Sequence, residues 1–391
     1  MAVTSPRLVH AQAGNDWIGK RVVQKLGIDF KLRIEAQAID PVVVLTYRVE
    51  QVNGPWLWVQ AEGRGLSGWA WADHVVPVED AIAYFTDYIR ANPTDAAGYQ
   101  RRAILWRREK KEYDIAIGDL NEAIRLAPGV AALWNTRGLA WNDKKEYDKA
   151  IADLSEAIRL DPKYALAYTN RGNAWIGKRE YDKAIADYSE AIRLDPKFAL
   201  AYNNRGIAWN GKEEYDKAIA DFSEAIRIDP NEAWAYSGRG LALLLARRPG
   251  AVGSARVGLE TAGWRGSYPI YTVILGYLGA VREGKEGDGK ALLEDAAGRC
   301  ETGTWPYPVV RFLRGELDEA GLLSAAASDN DKLTEVHGYA GYVKLLKGQL
   351  DAARKDFQWV KEHGNPSFVE YTLAVNELGR LGSGQPAAGK P

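Results

Sequence analysis

The 391-residue sequence predicts a two-part chain, a small all-β barrel followed by an all-α solenoid of paired helices. Two observations carry this reading. A unit of 34 residues recurs through the middle of the chain, and short runs of period-two alternation separated by turn residues fill residues 16–78.

The repeat is read directly. EYDIAIGDLNEAIRLAPG begins at Glu112, and its near-copies begin at Glu146, Glu180 and Glu214, each 34 residues after the last. Upstream of the later starts lie ALWNTRGLAW, LAYTNRGNAW and LAYNNRGIAW, and WAYSGRGLAL follows the last copy at the same step. Each unit is therefore a helix A, a short turn, a helix B and a proline stop. In one helix B, Tyr181, Ala184, Ile185, Tyr188, Ala191 and Ile192 make an apolar stripe at three- and four-residue spacing. Asp182, Lys183, Asp187, Glu190 and Arg193 take the other side, and Pro196 ends the helix because it lacks an N–H. Gly172 and Ala184 are small where the two helices of that unit approach. One such pair cannot cover its own stripe, so neighbouring pairs must stack.

These residues resemble the tetratricopeptide repeat family. The matching positions are Trp134, Gly138, Trp141, Ala150, Leu154 and Pro162 in one unit. In the next two they are Tyr168, Gly172, Trp175, Ala184, Tyr188 and Pro196, then Tyr202, Gly206, Trp209, Ala218, Phe222 and Pro230. The resemblance implies a right-handed superhelix with the A helices on its concave face. One departure is systematic: Arg102, Arg137, Arg171, Arg205 and Arg239 stand where the family usually has leucine. The first four units also carry Asp119, Asp153, Asp187 and Asp221 on helix B, so an Arg–Asp pair bridging the two helices is expected. The alternative is an arginine ladder for an acidic ligand.

The expected organisation starts with a flexible N-terminus at 1–15, a barrel at 16–78 and a capping helix at 79–95. The regular array at 96–250 has repeats at 96–130, 131–164, 165–198, 199–232 and from 233 to 250 onward, with one extra residue before Tyr113. Degenerate helices follow at 251–332, a returning repeat at 333–366, a closing helix at 367–382 and a flexible tail at 383–391.

Within the first module, Leu45, Tyr47 and Val49 alternate with Thr46, Arg48 and Glu50. Asn53-Gly54 marks a hairpin, and WLWVQ is the return strand. NGPWLWVQ followed by SGWAWADHVV resembles a bacterial Src-homology-3-like domain. Members often bind peptides or cell-wall material through exposed aromatics, which makes Tyr47, Trp56, Trp69 and Trp71 candidates. Against this, so small a barrel needs several aromatics as core.

Composition narrows the function. Fifty-one Lys and Arg balance 52 Asp and Glu, which argues against nucleic acid or an anionic membrane as partner. No apolar run approaches the roughly 20 residues that span a bilayer. Cys300 is the single cysteine, and His10, His74, His337 and His363 have no ligand spacing, so neither metal nor cofactor is expected. Gly63-Arg-Gly65-Leu-Ser-Gly68 has dinucleotide-loop spacing but leads into a strand, and Gly284 to Lys290 lacks the hydroxyl of a phosphate loop. No catalytic grouping is present, so the chain is expected not to be an enzyme. An isolated perturbed acid or base in a deep pocket of the irregular 250–332 region would revive catalysis.

Helical geometry points Asn135, Thr136, Leu139, Thr169, Asn170, Asn173, Asn203, Asn204, Ile207, Ser237, Gly238 and Leu241 into the concave groove, with Asn142 and Asn210 one turn on. Asparagine donates and accepts, so this row suits an extended protein or peptide segment. On that footing Asn170→Ala is expected to leave stability nearly unchanged. The expected function is a protein-interaction scaffold. The alternative is an envelope protein whose barrel binds peptidoglycan while the repeats recruit partners. As written, residues 1–13 lack a signal-peptide core and read as cytoplasmic; a leader ahead of Ala11-Gln12-Ala13 would imply a periplasmic or secreted protein.

Overall fold

The computed structural model describes residues 15–26, 46–61, 67–264, 268–366 and 368–382. Ala11-Gln12-Ala13, Leu45, Gly63, Gly65 and the tail from 383 lie outside the described residues. The chain forms two compact units, Met1–Glu180 and Tyr181–Pro391.

The first unit opens with strands β1 (Arg21–Gln24), β2 (Thr46–Asn53), β3 (Trp56–Ala61), β4 (Ser67–Trp71) and β5 (Val75–Pro77). They form one antiparallel sheet in the order β4-β3-β2-β1-β5. Alternation decides its faces: Tyr47 and Val49 are buried while Arg48 between them and Glu50 after them are exposed. Val22, Tyr47, Val49, Leu57, Val59 and Ala70 form the core of this module. Gly54 turns the β2–β3 hairpin with a left-handed φ of +58°, where a side chain would be strained.

Helices α1 (Val78–Ala91), α2 (Ala96–Leu105), α3 (Tyr113–Leu126), α4 (Ala131–Asp143), α5 (Tyr147–Leu160) and α6 (Ala165–Gly177) complete the unit. Val23 and Val76 of the sheet pack against Ala81 and Phe85 of α1 and Ile104 and Leu105 of α2. Arg21 adds a bidentate pair to Glu109 at 2.8 and 3.0 Å. The sheet is thereby joined to the first helices through side chains, not only through the chain. After α2, residues Trp106–Lys110 form a π-helical turn. A π turn holds one residue more than an α turn, which is how the extra residue before Tyr113 is absorbed.

The second unit contains α7 (Tyr181–Leu194), α8 (Ala199–Gly211), α9 (Tyr215–Ile228), α10 (Ala233–Leu245), α11 (Ala251–Ala262) and α12 (Tyr268–Arg282). It continues with α13 (Glu286–Arg299), α14 (Tyr307–Leu313), α15 (Glu319–Ala326), α16 (Asn330–Leu346), α17 (Leu350–His363) and α18 (Val369–Gly382). Its largest core gathers Leu244, Leu259, Ile274, Leu292, Val310 and Phe357, drawn from α10 through α17. Helix α18 packs on both α16 and α17. Among the described residues, no helix is long and apolar enough to cross a membrane.

Local chemistry repeats with the units. Every A–B turn passes through left-handed φ, at Lys111, Lys145 and Arg179 in the first unit and Glu213 and Arg247 in the second. Farther on, Gly284 and Gly348 fill that place. Helices α5, α7 and α9 stop on an Asp–Pro pair whose aspartate accepts from the backbone two residues on, as Asp161 does from Lys163 at 3.0 Å. Where A meets B the packing leaves no room: a Cβ on Gly138 would lie 2.7 Å from Leu154 Cγ.

Candidate functional site

The arginines before the A-helix glycines are claimed internally. Arg102 grips Asp119 at 2.9 and 2.7 Å, and Arg137 grips Asp153 at 2.7 Å through both nitrogens. In the second unit Arg205 holds Asp221 at 2.7 and 2.8 Å. The hydrogen bond to Asp119 and that to Asp221 raise Arg102 and Arg205 above the ordinary guanidinium range, and the buried aspartates leave no free charge there. Arg171 also donates to Ser155 Oγ at 3.0 Å, and Arg239, lacking an aspartate, donates to Ser254 Oγ at 3.1 Å. An arginine ladder for an acidic ligand loses at least three of its rungs to these carboxylates.

The A-helix row divides into two kinds of residue. Asn135, Thr136, Thr169, Asn170 and Asn203 are buried, which corrects the expectation that they open into a groove. Asn135, Thr136 and Asn170 bond across successive A helices. Asn170 Nδ2 donates to Asn135 Oδ1 at 2.8 Å, and Gln100 Nε2 donates to Thr136 Oγ1 at 3.2 Å. In the second unit Ser237 and Thr272 share a hydroxyl bond of 2.8 Å. Asn142, Asn173, Asn204, Asn210 and Ser237 are half-buried.

Of the apolar side chains that reach solvent here, Ile207 belongs to the row read from the sequence, and Leu200 and Trp234 do not. On α8, Leu200 and Ile207 are 40% and 45% exposed; on α10, Trp234 is 61% exposed. Leu200 and Trp234 occupy the same place in successive repeats, and Ile207 lies two helical turns beyond Leu200 on the same face. Leu139 and Leu241 stand at the place equivalent to Ile207 and are half-buried.

On the sheet, Tyr47 is 3% exposed and belongs to the core, so it cannot serve as a surface aromatic. The other candidates are on the opposite face and are joined by Trp58, which alternation with Leu57 and Val59 could have found. Trp56 pairs across strands with Trp71, ring centres 4.8 Å apart at 88°, and Trp58 with Trp69 at 5.4 Å and 71°. Trp56 is exposed and the other three half-buried.

A buried polar cluster in the second unit had no signal beyond acidic residues on apolar stripes. Glu335 of α16 accepts from Tyr271 Oη and from Trp305 Nε1, both at 2.9 Å, and Glu370 of α18 accepts from Tyr339 Oη. Burial, then the neighbouring Glu370, pushes Glu335 up to about 8, and burial likewise raises Glu370. Both oxygens of Glu335 are occupied and the residue is sealed, so this acid ties helices together instead of facing a substrate. Nearby, Glu377 of α18 is held by Arg247 at 2.7 Å, Arg282 at 3.0 Å and Arg380 at 3.1 Å.

Against known proteins, the tetratricopeptide repeat profile matches residues 165–198 and 199–232, and a second TPR repeat profile matches 138–175. The chain thus contains tetratricopeptide repeats. No curated protein matches it. Similar solved structures include MamA, 28% identical over 40% of this chain and 91% of that one, with a TM-score of 0.36. YrrB, described as a TPR protein with an unusual peptide-binding site, is 20% identical over 45% and 91% of the two chains, TM-score 0.36. The first TPR of Spaghetti (RPAP3), bound to an HSP90 peptide, is 22% identical over 30% and 93%, TM-score 0.29.

Proposed function

We propose that the chain is a non-catalytic interaction scaffold that holds a protein or peptide segment on the groove side of its A helices. The observation that carries this is the exposed apolar row of Leu200 and Trp234, at the same place in successive repeats, with Ile207 two turns along α8. A single exposed apolar side chain needs no explanation, but several in register form a contact patch. The half-buried Asn204, Asn210 and Ser237 of the same unit lie beside or in phase with that row and supply hydrogen bonds at its margin. Capture from lysate of the source cells with wild type and with Ile207→Glu/Trp234→Glu tests the reading. Partners lost only from the variant support it; partners retained by both remove the A-helix face as the site.

A second reading, an envelope protein gripping peptidoglycan through a Src-homology-3-like module, is favoured by the cross-strand tryptophan pairs on the outer sheet face. Aromatic faces stack on sugar and peptide surfaces alike. Co-sedimentation with purified peptidoglycan, lost with Trp56→Ala/Trp71→Ala, would support it. Sedimentation indifferent to that variant would dismiss it.

A further inference from the structure

We infer that the chain self-associates through the outer edge of its sheet, strand β4 of one copy pairing antiparallel with β4 of a second about a two-fold axis at Trp69. The inference goes beyond the scaffold reading and uses none of its A-helix residues.

The sheet has two edges, and the sequence treats them differently. Strand β5 is three residues long, ends on Pro77 and runs straight into α1, whose Ala81 and Phe85 pack with Val76. A short strand, a proline and a covering helix are common devices that keep an edge from taking up another strand. Strand β4 has no such guard. Its residues Ser67-Gly68-Trp69-Ala70-Trp71 carry neither charge nor proline, and they pair with β3 in one unbroken register. The register shift of the sheet lies in β2 instead, between Val49 and Gln51. Among the described residues no strand pairs with the other side of β4.

The ladder fixes which backbone groups face outward. Ala72 N–H donates to Pro55 O at 2.9 Å. Bonded and unbonded pairs alternate along an antiparallel ladder, so Ala70 with Leu57 and Gly68 with Val59 are the bonded pairs that follow. Ser67, Trp69 and Trp71 therefore turn their N–H and C=O groups away from β3. Their side chains share the outer sheet face and are half-buried, while Gly68 and Ala70 are buried.

A second β4 is complementary to this edge. With Trp69 on the axis, Trp69 bonds to Trp69 of the second copy and Ser67 bonds to Trp71, so each outward N–H meets an outward C=O. The Trp58–Trp69 ring pair, 5.4 Å between centres, continues across the axis into the same pair of the second copy. No charge on either strand opposes the approach. A five-residue edge buries far less surface than an obligate dimer does, so the contact gives weak, concentration-dependent association. Two copies joined this way would grip a partner that carries two binding segments more tightly than either copy alone.

The test follows the full chain by sedimentation velocity over a rising concentration series. Monomer should pass into dimer, and amide exchange at Trp69 and Trp71 should slow over the same range. Exchange at Ala70, already bonded within the sheet, should not change. Trp69→Lys sets two like charges beside the axis, and Ser67→Pro removes an outward N–H from each copy at a first strand position, where proline is tolerated. Each should weaken dimerisation about tenfold or more, because the axis doubles every loss. Thermal melts check that the variants fold, and Ser67→Pro keeps every tryptophan should Trp69→Lys disturb the module. Ile207→Glu/Trp234→Glu should dimerise as wild type does, which separates this inference from the groove reading. A chain that stays monomeric, a dimer that withstands both folded variants, or a dimer in which Trp69 and Trp71 exchange as fast as in the monomer would overturn the inference.

Discussion

Lys145 sits in left-handed backbone at φ 63°, a region that L side chains enter only at a cost. Its equivalents Arg179, Glu213 and Arg247 do the same, whereas the later repeats place Gly284 and Gly348 there. Lys145→Gly is therefore expected to stabilise the chain by about 0.5–1 kcal/mol, the strain relieved outweighing the extra freedom of glycine when unfolded. A thermal or denaturant melt checks the sign. At the Arg137–Asp153 pair the direction reverses. Asp153→Ala leaves a guanidinium with only 18% side-chain exposure without its carboxylate, and a loss of about 2 kcal/mol is expected in a denaturant titration. Gly206→Leu should cost about 1–3 kcal/mol, because even a Cβ would stand 3.0 Å from the Phe222 ring.

Between elements, the side-chain bonds joining successive A helices alter one expectation drawn from the sequence. Asn170 is buried and bonded to Asn135, so Asn170→Ala removes a donor and strands an acceptor. A loss of about 1–2 kcal/mol is expected in melts, where a groove-lining residue would show almost none. The Glu335–Glu370 cluster makes the α12–α16–α18 packing sensitive to pH. The folded state holds a proton on Glu335 up to about 8, well above the ordinary carboxylate range. The stability this contributes is full below that ordinary range and is lost as pH rises through about 8. The charged and titratable neighbours are Tyr271 of α12, Asp331 and Tyr339 of α16 and Glu370 of α18. Protection factors in α18, corrected for base-catalysed intrinsic exchange, should fall from neutral to mildly alkaline pH in wild type and lose most of that dependence in Glu335→Gln. An unchanged profile in the variant would place the titration elsewhere.

For the molecule as a whole, legibility followed the range of the interaction. The B helices, their proline stops and the tight A–B contacts are set within about 34 residues, and their 3.6-residue stripes print directly into the sequence. The Arg–Asp pairs were legible for the same reason, since a recurring arginine in a packed interface requires a recurring anion. Tyr47 was a surface candidate, but alternation in β2 puts it on the face of Val49, which is the buried one, and the same rule in β3 and β4 assigns Trp56, Trp58, Trp69 and Trp71 to the other. What could not be read was whatever depends on a neighbour far along the chain. Asn135 and Asn170 look like a polar surface until their helices are brought together. Glu335 looks solvated until Trp305 and Tyr271 close over it. Ile207 could be placed on the groove side by its phase after Gly206, whereas nothing in the sequence marked Leu200 and Trp234 as exposed.

The central claim is that partners meet the groove side of the A helices, and site-specific photocrosslinking in the source cell tests it most directly. A benzophenone amino acid would be placed at Ile207 in one full-length version and at the exposed Ala220 of α9 in another. The account predicts a discrete partner adduct from position 207 and none from 220. The same adduct from both positions, or from 220 alone, would contradict it.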